Sequence, residues 1–135
     1  MYNFIKNHKV KLVYIPLGIY WVILFALTTL PSKSLPSVAF SDKIKHFLAY
    51  FILTILLKLT LHFQEKYNLT LKMCTVITLG IIAFYGMADE IHQYFIPGRY
   101  CEFYDWVANI AGGIVGVLLV RFFIVKNDEN IIKVV

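Results

Sequence analysis

Four long runs of apolar residues divide this chain and leave few ways in which it can fold. They span residues 12–30, 44–63, 73–88 and 106–120, and charged residues within them are rare. A bilayer core about 30 Å thick is crossed by about 20 helical residues, so the first two runs are long enough and the last two nearly so. Each run therefore predicts a transmembrane helix.

The composition supports this interpretation. Hydrophobic residues make up 59% of the chain and charged residues 16%, whereas roughly a quarter of an ordinary soluble domain is charged. A soluble domain of 135 residues would struggle to bury so much apolar surface. We predict an all-α, integral membrane four-helix bundle that forms one domain over residues 1–135, with helices at 12–30, 44–63, 71–95 and 106–125.

The first apolar run has the basic flank of a signal peptide, formed by Lys6, Lys9 and Lys11. Its core is long, however, and Pro31 follows it without the small-residue pattern of a cleavage site. We therefore predict a retained helix.

Basic residues at the ends of the predicted helices indicate orientation across the membrane. With the N-terminus inside, nine of them lie on the cytoplasmic side and four on the outer side. The cytoplasmic set is Lys6, Lys9, Lys11, Lys58, Lys66, Lys72, Arg121, Lys126 and Lys133, and the outer set is Lys33, Lys43, Lys45 and Arg99. This asymmetry predicts that both termini are cytoplasmic. Because topology accounts for the net charge of +5, we expect no nucleic-acid partner.

The two cysteines are predicted to lie at opposite ends of the third helix, with Cys74 near its inner end and Cys101 in the loop beyond it. A disulfide needs Cα atoms within about 7 Å of each other. We therefore expect no intramolecular bridge.

Polar residues collect at the predicted outer ends of the second, third and fourth helices. Residues four apart share one face of a helix, and each of these ends carries such a pair. Acidic residues that run into an apolar membrane helix mark a functional site by default. We predict one polar pocket, with Arg99 above it on a loop that starts at Pro97-Gly98. The pocket residues are Asp42, His46, Asp89, Glu90, Gln93, Asp105 and Asn109.

Several of these residues also have structural explanations. Asp42 and Asp105 stand where helix N-caps are expected. His46 could hydrogen-bond a backbone carbonyl, and Asn109 could hydrogen-bond between helices. These alternatives stay open at the level of sequence.

The adjacent acids Asp89 and Glu90 are harder to explain, because like charges repel each other and need a partner. A salt bridge to Arg99 or Lys43 is their structural explanation. Alternatively, the two acids could act as general bases, with His46 as a second acid–base group.

Basic residues beside the pocket favour an anionic ligand. Arg99, with Lys43 and Lys45, could hold a phosphate or a carboxylate, for which a guanidinium is well suited. The carboxylates and His46 could instead hold a divalent metal, but their spacing matches no strong metal motif, so we predict no metal or other cofactor. The sequence has no serine elbow, phosphate-binding loop, HExxH or CxxC motif, which leaves catalysis an open question.

The fourth helix carries small residues at every fourth position, namely Ala108, Gly112 and Gly116. Such a stripe lets helices approach closely. We predict that it packs helices within the chain, and a homo-oligomer through this helix is the alternative.

Two blocks of residues resemble the VanZ-like family. The first is Ser41-Asp42-Lys43-Ile44-Lys45-His46-Phe47, followed by Ala49-Tyr50-Phe51. The second is Ala88-Asp89-Glu90-x-x-Gln93-x-Phe95-x-Pro97-Gly98-Arg99, followed by Asp105-x-x-Ala108-Asn109-x-x-Gly112. The resemblance covers most of the chain from the second helix to the fourth.

This resemblance implies a small multi-pass protein of the bacterial cytoplasmic membrane. Members of the family are associated with tolerance to glycopeptide antibiotics of the teicoplanin type. The resemblance also implies a polar signature, which in this chain comprises Asp42, Lys43, His46, Asp89, Glu90, Gln93, Arg99, Asp105 and Asn109.

The sequence is compatible with three functions. In the first, the pocket faces outward and engages the anionic head of an envelope lipid, such as a polyprenyl-linked cell-wall precursor, through Arg99 and Lys43. The carboxylates, His46 and Asn109 position that head, and the ligand-binding residues are Lys43, Arg99, Gln93, Asp42, Asp105 and Asn109. In the second, the protein is an intramembrane enzyme that modifies such a lipid, with Asp89, Glu90 and His46 as catalytic residues. In the third, the polar residues only lock the helices of a membrane scaffold together.

Overall fold

The computed structural model describes residues 1–31 and 42–127, and every regular element in these ranges is helical. Helix α1 (Tyr2–Asn7) leads through a π-helical turn (Val10–Tyr14) into α2 (Ile15–Thr29). The other helices are α3 (Asp42–Phe63), α4 (Leu71–Tyr94) and α5 (Phe103–Asn127). Lys33, Ser41 and Lys133, which are part of the predictions from sequence, lie outside the described residues.

The prediction of an all-α fold with four membrane spans is confirmed. The stretch Val10–Thr29 and the helices α3, α4 and α5 are each long and apolar enough to cross a membrane, with mean hydropathies from 1.7 to 2.1. Large apolar side chains such as Val22, Phe84 and Phe122 are exposed on their outer surfaces. This pattern is that of a multi-pass membrane protein, in which lipid covers the outer faces.

The N-terminal segment is helical almost from its first residue, because α1 and the π-helical turn precede α2. The turn lies just before Pro16, which stands at the start of α2. Proline has no N–H group, and its ring collides with the carbonyl four residues earlier. The wider π-helical turn accommodates this break in the regular hydrogen-bond ladder.

Two of the spanning helices begin before their apolar runs. Helix α3 begins at Asp42 and α5 begins at Phe103. Asp105 is therefore not an N-cap residue but lies inside the first turn of α5, with its side chain buried. The polar ends of these helices pack against one another instead of forming loops.

Helix α3 occupies the centre of the bundle and contacts α2, α4 and α5. Its apolar residues contribute to two buried clusters. One cluster surrounds Phe63 and Ile124 near the N-terminal segment and the end of α5, and the other surrounds Leu53 and Ile82 towards the polar end.

The small residues of α5 face α3. A Cβ atom added to Gly112 would lie 2.2 Å from the carbonyl oxygen of Phe47, and one added to Gly116 would lie 2.9 Å from Cβ of Thr54. The stripe is therefore used for packing within the chain. A homo-oligomer through α5 would have to use another face, such as that of Leu118 and Phe122, which are exposed.

The N-terminal segment, the α3–α4 loop and the end of α5 share one end of the bundle. Tyr2 makes ring contacts with Phe63 and Phe123, and the Lys9 ammonium donates to the carbonyl of Phe63 at 3.0 Å. The polar pocket residues lie at the other end. That the shared end is cytoplasmic stays a prediction from the lysine distribution.

The two cysteines are free. Cys74 is buried on α4 and Cys101 is exposed in the loop before α5, which agrees with their predicted separation.

Candidate functional site

Polar side chains from three helices meet at the end of the bundle opposite the N-terminal segment and the α3–α4 loop. They come from the first turns of α3, the last turns of α4 and the first turns of α5, and six of them are buried. These are His46, Asp89, Glu90, Gln93, Asp105 and Asn109. The structure thus brings together the residues predicted to line one pocket, with Asp42 at the exposed edge.

His46 lies at the centre of this cluster. Its Nδ1 is 3.1 Å from Oδ1 of Asn109 and 3.5 Å from Oε1 of Glu90. Its Nε2 faces the carboxylates of Asp105, at 3.9 Å, and Asp42, at 4.0 Å. The ring is therefore bound through polar side chains of α4 and α5 and not through a backbone carbonyl.

Asn109 forms a hydrogen bond between helices, which is one of the two roles that the sequence suggests for it. It is fully buried and links α5 to His46 of α3. Gly86 of α4 makes room for it, because a Cβ atom there would lie 3.3 Å from Nδ2 of Asn109.

Lys43 pairs with acids of the α4–α5 region and does not lie over the pocket. Its ammonium is 2.8 Å from Glu102 and 3.0 Å from Asp105. The backbone N–H of Glu102 donates in turn to Glu90 at 3.3 Å. Lys43 thus holds the start of α5 in place. It does not form a shared anion-binding site with Arg99.

Arg99 turns back onto the end of the first span. Its guanidinium donates to the carbonyl of Leu27 at 2.7 Å, to that of Leu30 at 3.3 Å and to Oε1 of Gln93 at 3.2 Å. These bonds satisfy carbonyl groups that the end of a helix leaves without partners. The salt bridge from Arg99 or Lys43 to Asp89 or Glu90 is not among the ion pairs of the described residues.

A tight turn aims Arg99 in this direction. The N–H of Arg99 donates to the carbonyl of Ile96 at 3.0 Å, and Gly98 has a φ of 77°. Proline at the second position and a glycine with positive φ at the third are the pattern of a type II turn. Pro97-Gly98 therefore ends α4, as the sequence predicts, and also sets the direction of the next side chain.

A cavity of about 420 Å³ lies between α2, α3 and α4. One end is polar, and the opposite wall is apolar. The polar lining includes Thr28, Asp42, Lys45, His46, Tyr50, Asp89, Gln93 and Arg99, and the apolar lining includes Ile23, Leu24, Leu27, Leu48 and Ile52. Ile23 is 47% exposed and both Leu48 and Ile52 are 43% exposed, so the apolar wall continues onto the lipid-facing surface.

Asp89 reaches the cavity and accepts a hydrogen bond from the hydroxyl of Tyr50 at 3.3 Å. The neighbouring Glu90 points the other way, towards His46 and the backbone of Glu102. The two adjacent acids therefore avoid each other by facing different partners.

The profile of the VanZ/LLP1 family matches residues 8–124 of the chain. The chain belongs to the VanZ/LLP1 family. This match confirms the resemblance in the motifs and extends it to the first span, whose residues carry no motif of that kind. No curated protein and no solved structure matches the chain.

In this VanZ/LLP1 chain, several contributors to the site are not among the residues predicted from the sequence, including Thr28, Tyr50, Glu102 and carbonyl groups at the end of the first span. Tyr50 lies four residues after His46, so the spacing from Asp42 through His46 could have placed it on the same face of α3. Glu102 gives no such signal, because its contact with Lys43 crosses between helices. The carbonyl groups of α2 carry no side-chain signature at all.

Proposed function

We propose that this VanZ/LLP1 protein binds the anionic head of a membrane lipid in the cavity between α2, α3 and α4. The observation that carries the proposal is the cavity's division into a polar end and an apolar wall that opens towards lipid. Ligand sites are commonly apolar cavities with a few convergent polar groups. An amphiphile matches this division when its head lies at Lys45 and Arg99 and its chain follows Leu48 and Ile52.

The charges at the polar end support an anionic head. Lys45 is only loosely engaged, since its ammonium is 3.5 Å from Asp42 and 44% of its side chain is exposed. Arg99 donates to neutral carbonyl groups. Among the described residues, neither cation has a carboxylate contact closer than the 3.5 Å between Lys45 and Asp42, so both can attract a phosphate.

We further propose that the lipid is an envelope lipid of the bacterial cytoplasmic membrane, with a polyprenyl-linked cell-wall precursor as the leading candidate. Two arguments support this. The lysine distribution predicts that the pocket lies on the outer side, where such a precursor is displayed, and the family resemblance implies a link to teicoplanin-type tolerance. The expected consequence is that loss of the protein changes susceptibility to such an antibiotic.

The test uses the full chain in nanodiscs that contain undecaprenyl phosphate, undecaprenyl pyrophosphate or a lipid-linked wall precursor, with native mass spectrometry of the bound species. Lys45→Gln is expected to weaken binding about 10- to 100-fold, because one charge-assisted contact contributes about 1.5–3 kcal/mol and each 1.4 kcal/mol is a factor of ten. Lys72→Gln is the matched control, since it makes the same charge change on an exposed residue at the opposite end of α4.

Equal binding by the wild type, Lys45→Gln and Lys72→Gln would contradict the proposal. Arg99→Ala is a less decisive variant, because Arg99 also satisfies carbonyls of the first span. Its effect on lipid binding has to be compared with its effect on the melting temperature. Loss of stability without specific loss of binding would favour the scaffold function.

An intramembrane enzyme is the second candidate function, and the hydrogen bond between Tyr50 and Asp89 favours it. This pair lines the cavity, so a carboxylate with an attached proton donor faces the proposed head group. A converted lipid product that disappears in Asp89→Asn would establish catalysis. Glu90→Gln is the comparison, since Glu90 lies behind His46 and outside the cavity lining.

A further inference from the structure

Three potential ligand atoms converge at the outer end of α3 and α5. Asp42, His46 and Asp105 each offer one such atom, and all three atoms lie within 4.8 Å of one another. Two of the residues, Asp42 and His46, also line the cavity. The cluster therefore lies where the proposed lipid head would enter.

The two ring nitrogens of His46 face different groups. Nδ1 faces Oδ1 of Asn109 at 3.1 Å and Oε1 of Glu90 at 3.5 Å. Both are acceptors, and Oε1 of Glu90 is buried with no hydrogen bond of its own among the described residues. In the tautomer with its proton on Nδ1, the ring donates to Oδ1 of Asn109 and leaves the lone pair of Nε2 available to a metal.

That lone pair points at two carboxylates. Nε2 is 3.9 Å from Asp105 and 4.0 Å from Asp42, which is beyond the length of a hydrogen bond. A divalent cation lies about 2.0–2.2 Å from nitrogen and oxygen ligands, so one ion can contact both members of a pair separated by roughly 4 Å. Nε2, which makes no hydrogen bond among the described residues, thus faces two carboxylate oxygens at 3.9 and 4.0 Å, and a small inward shift of the side chains would close all three ligand atoms around one ion.

The surrounding contacts are those expected around a metal site. Histidine ligands usually donate their second N–H to a carboxylate or a carbonyl oxygen, which fixes the orientation of the ring. Glu90 and Asn109 occupy that position for His46. Lys43 holds Oδ1 of Asp105 at 3.0 Å, which leaves Oδ2 directed towards His46.

We propose that Asp42, His46 and Asp105 bind a divalent transition-metal cation, Mn²⁺ or Zn²⁺ by ligand type. One imidazole and two carboxylates suit these ions, and three protein ligands leave coordination positions for an outside group. Those positions face the cavity, where a phosphate oxygen of the lipid head completes the coordination. This last step rests on the proposed function, whereas the metal site itself does not.

The cation also explains the composition of the pocket. Asp42, Asp89 and the nearby Asp105 would repel an anionic head. A divalent ion between two of these carboxylates neutralises their charge, and its open coordination positions bridge protein to phosphate. No sequence motif shows the site, because its ligands come from α3 and α5, 63 residues apart between Asp42 and Asp105.

The test uses the full chain in nanodiscs of phosphatidylcholine alone, stripped with chelator and titrated with Mn²⁺ and Zn²⁺. We expect saturable binding of one ion, a rise in melting temperature, and pulsed EPR of bound Mn²⁺ that shows coupling to an imidazole ¹⁴N. His46→Gln is expected to abolish that coupling. His92→Gln is the matched control, because His92 stacks on Phe25 and is not part of the cluster.

Asp42→Asn tests the site without disturbing the core, because 58% of the Asp42 side chain is exposed. We expect it to weaken Mn²⁺ binding at least about tenfold, by analogy with losses at supporting residues of metal sites. No saturable binding by the folded wild type, or unchanged binding in Asp42→Asn, would overturn the proposal. Retention of the ¹⁴N coupling in a folded His46→Gln variant would do the same.

These outcomes are separate from those of the lipid experiment, since no anionic lipid is present. Metal binding without lipid binding would support the proposed metal site and contradict the proposed function. Lipid binding without metal binding would leave the head group to Lys45 and Arg99 alone.

Discussion

The carbonyl oxygen of Phe47 lies so close to Gly112 that a Cβ atom on Gly112 would sit 2.2 Å from it. This contact brings the backbones of α3 and α5 together one turn below the polar cluster. Gly112→Ala is therefore expected to push the helices apart and to lower the free energy of unfolding by about 1–3 kcal/mol, the usual cost of overpacking. Thermal unfolding in detergent measures the effect.

Gly80→Ala is the control for this substitution. Gly80 also lies inside a helix, but nothing lies within 4 Å of a Cβ atom placed there. Alanine favours helix over glycine by about 1 kcal/mol, so this variant is expected to be as stable as the wild type or more stable. If both variants melted at the same temperature, α3 and α5 could not be as close at Gly112 as the structure shows.

Tyr50→Phe tests how much the hydrogen bond from Tyr50 to Asp89 contributes to stability. The substitution removes the hydroxyl that donates to Oδ2 of Asp89 at 3.3 Å, in a pair that is buried on both sides. A buried acceptor that loses its donor costs about 1–3 kcal/mol of stability. The melting temperature should fall in Tyr50→Phe and stay unchanged in Tyr104→Phe, where the side chain is exposed. Equal melting of the two variants would show that the hydroxyl contributes nothing.

Much of this fold is predictable from the sequence, because the chain has to satisfy the thickness and polarity of a bilayer. Long apolar runs determine the number of spans, and residues four apart determine which polar groups share a face. Together these two rules are enough to place His46, Asp105 and Asn109 at one end of the bundle. The family motifs contribute the same residues independently.

What the sequence does not supply is the rotation of each helix against its neighbours. Lys43 and Arg99 are both basic residues at the predicted outer end, and the sequence alone suggests that they share one ligand. In the structure, Lys43 faces Asp105, whereas Arg99 faces the carbonyl of Leu27 on the first span. A hydrogen-bond or ion-pair partner on the backbone or on another helix produces no periodic pattern of residues in the sequence.

The N-terminal segment is tied to the α3–α4 loop by a pair whose strength depends on pH. The ammonium of Lys9 donates to the carboxylate of Glu65. This hydrogen bond raises the pKa of Lys9 above its ordinary value of 10.5 and lowers the pKa of Glu65 below its ordinary value of 4.5. Both pKa shifts stabilise the folded state between pH 4.5 and pH 10.5, where both groups are charged.

The stabilisation due to Glu65 is therefore present above about pH 4.5 and is lost as the pH falls through its lower folded pKa. The part due to Lys9 is present below pH 10.5 and is lost as the pH rises through its higher folded pKa. Glu65→Gln should reduce the melting temperature slightly at neutral pH and not at all at the acid limit. Because the pair is exposed, high salt should shrink the difference at neutral pH, and a salt-independent difference would count against an ion pair.

Lys58 is a fully buried lysine inside α3, and its ammonium donates to the hydroxyl of Thr75 on α4 at 2.7 Å. Removing one partner of such a pair leaves a buried polar group without its hydrogen bond, which costs about 1–3 kcal/mol, or more when the group is charged. Thr75→Val is therefore expected to lower the melting temperature clearly. Lys58→Met removes the buried group and keeps an unbranched side chain in the same space, so its cost should be smaller.

The double variant decides whether the two side chains act on each other. If Lys58 depends on Thr75, Thr75→Val should cost much less stability in a Lys58→Met background than in the wild type, because no ammonium remains to be left without a partner. Measured as a double-mutant cycle of unfolding free energies, the coupling should be about 0.5–3 kcal/mol, the range found for residues in contact. Additive effects would mean that Thr75 does not satisfy the ammonium, and that Lys58 is held at the end of the bundle near the chain termini by a different group.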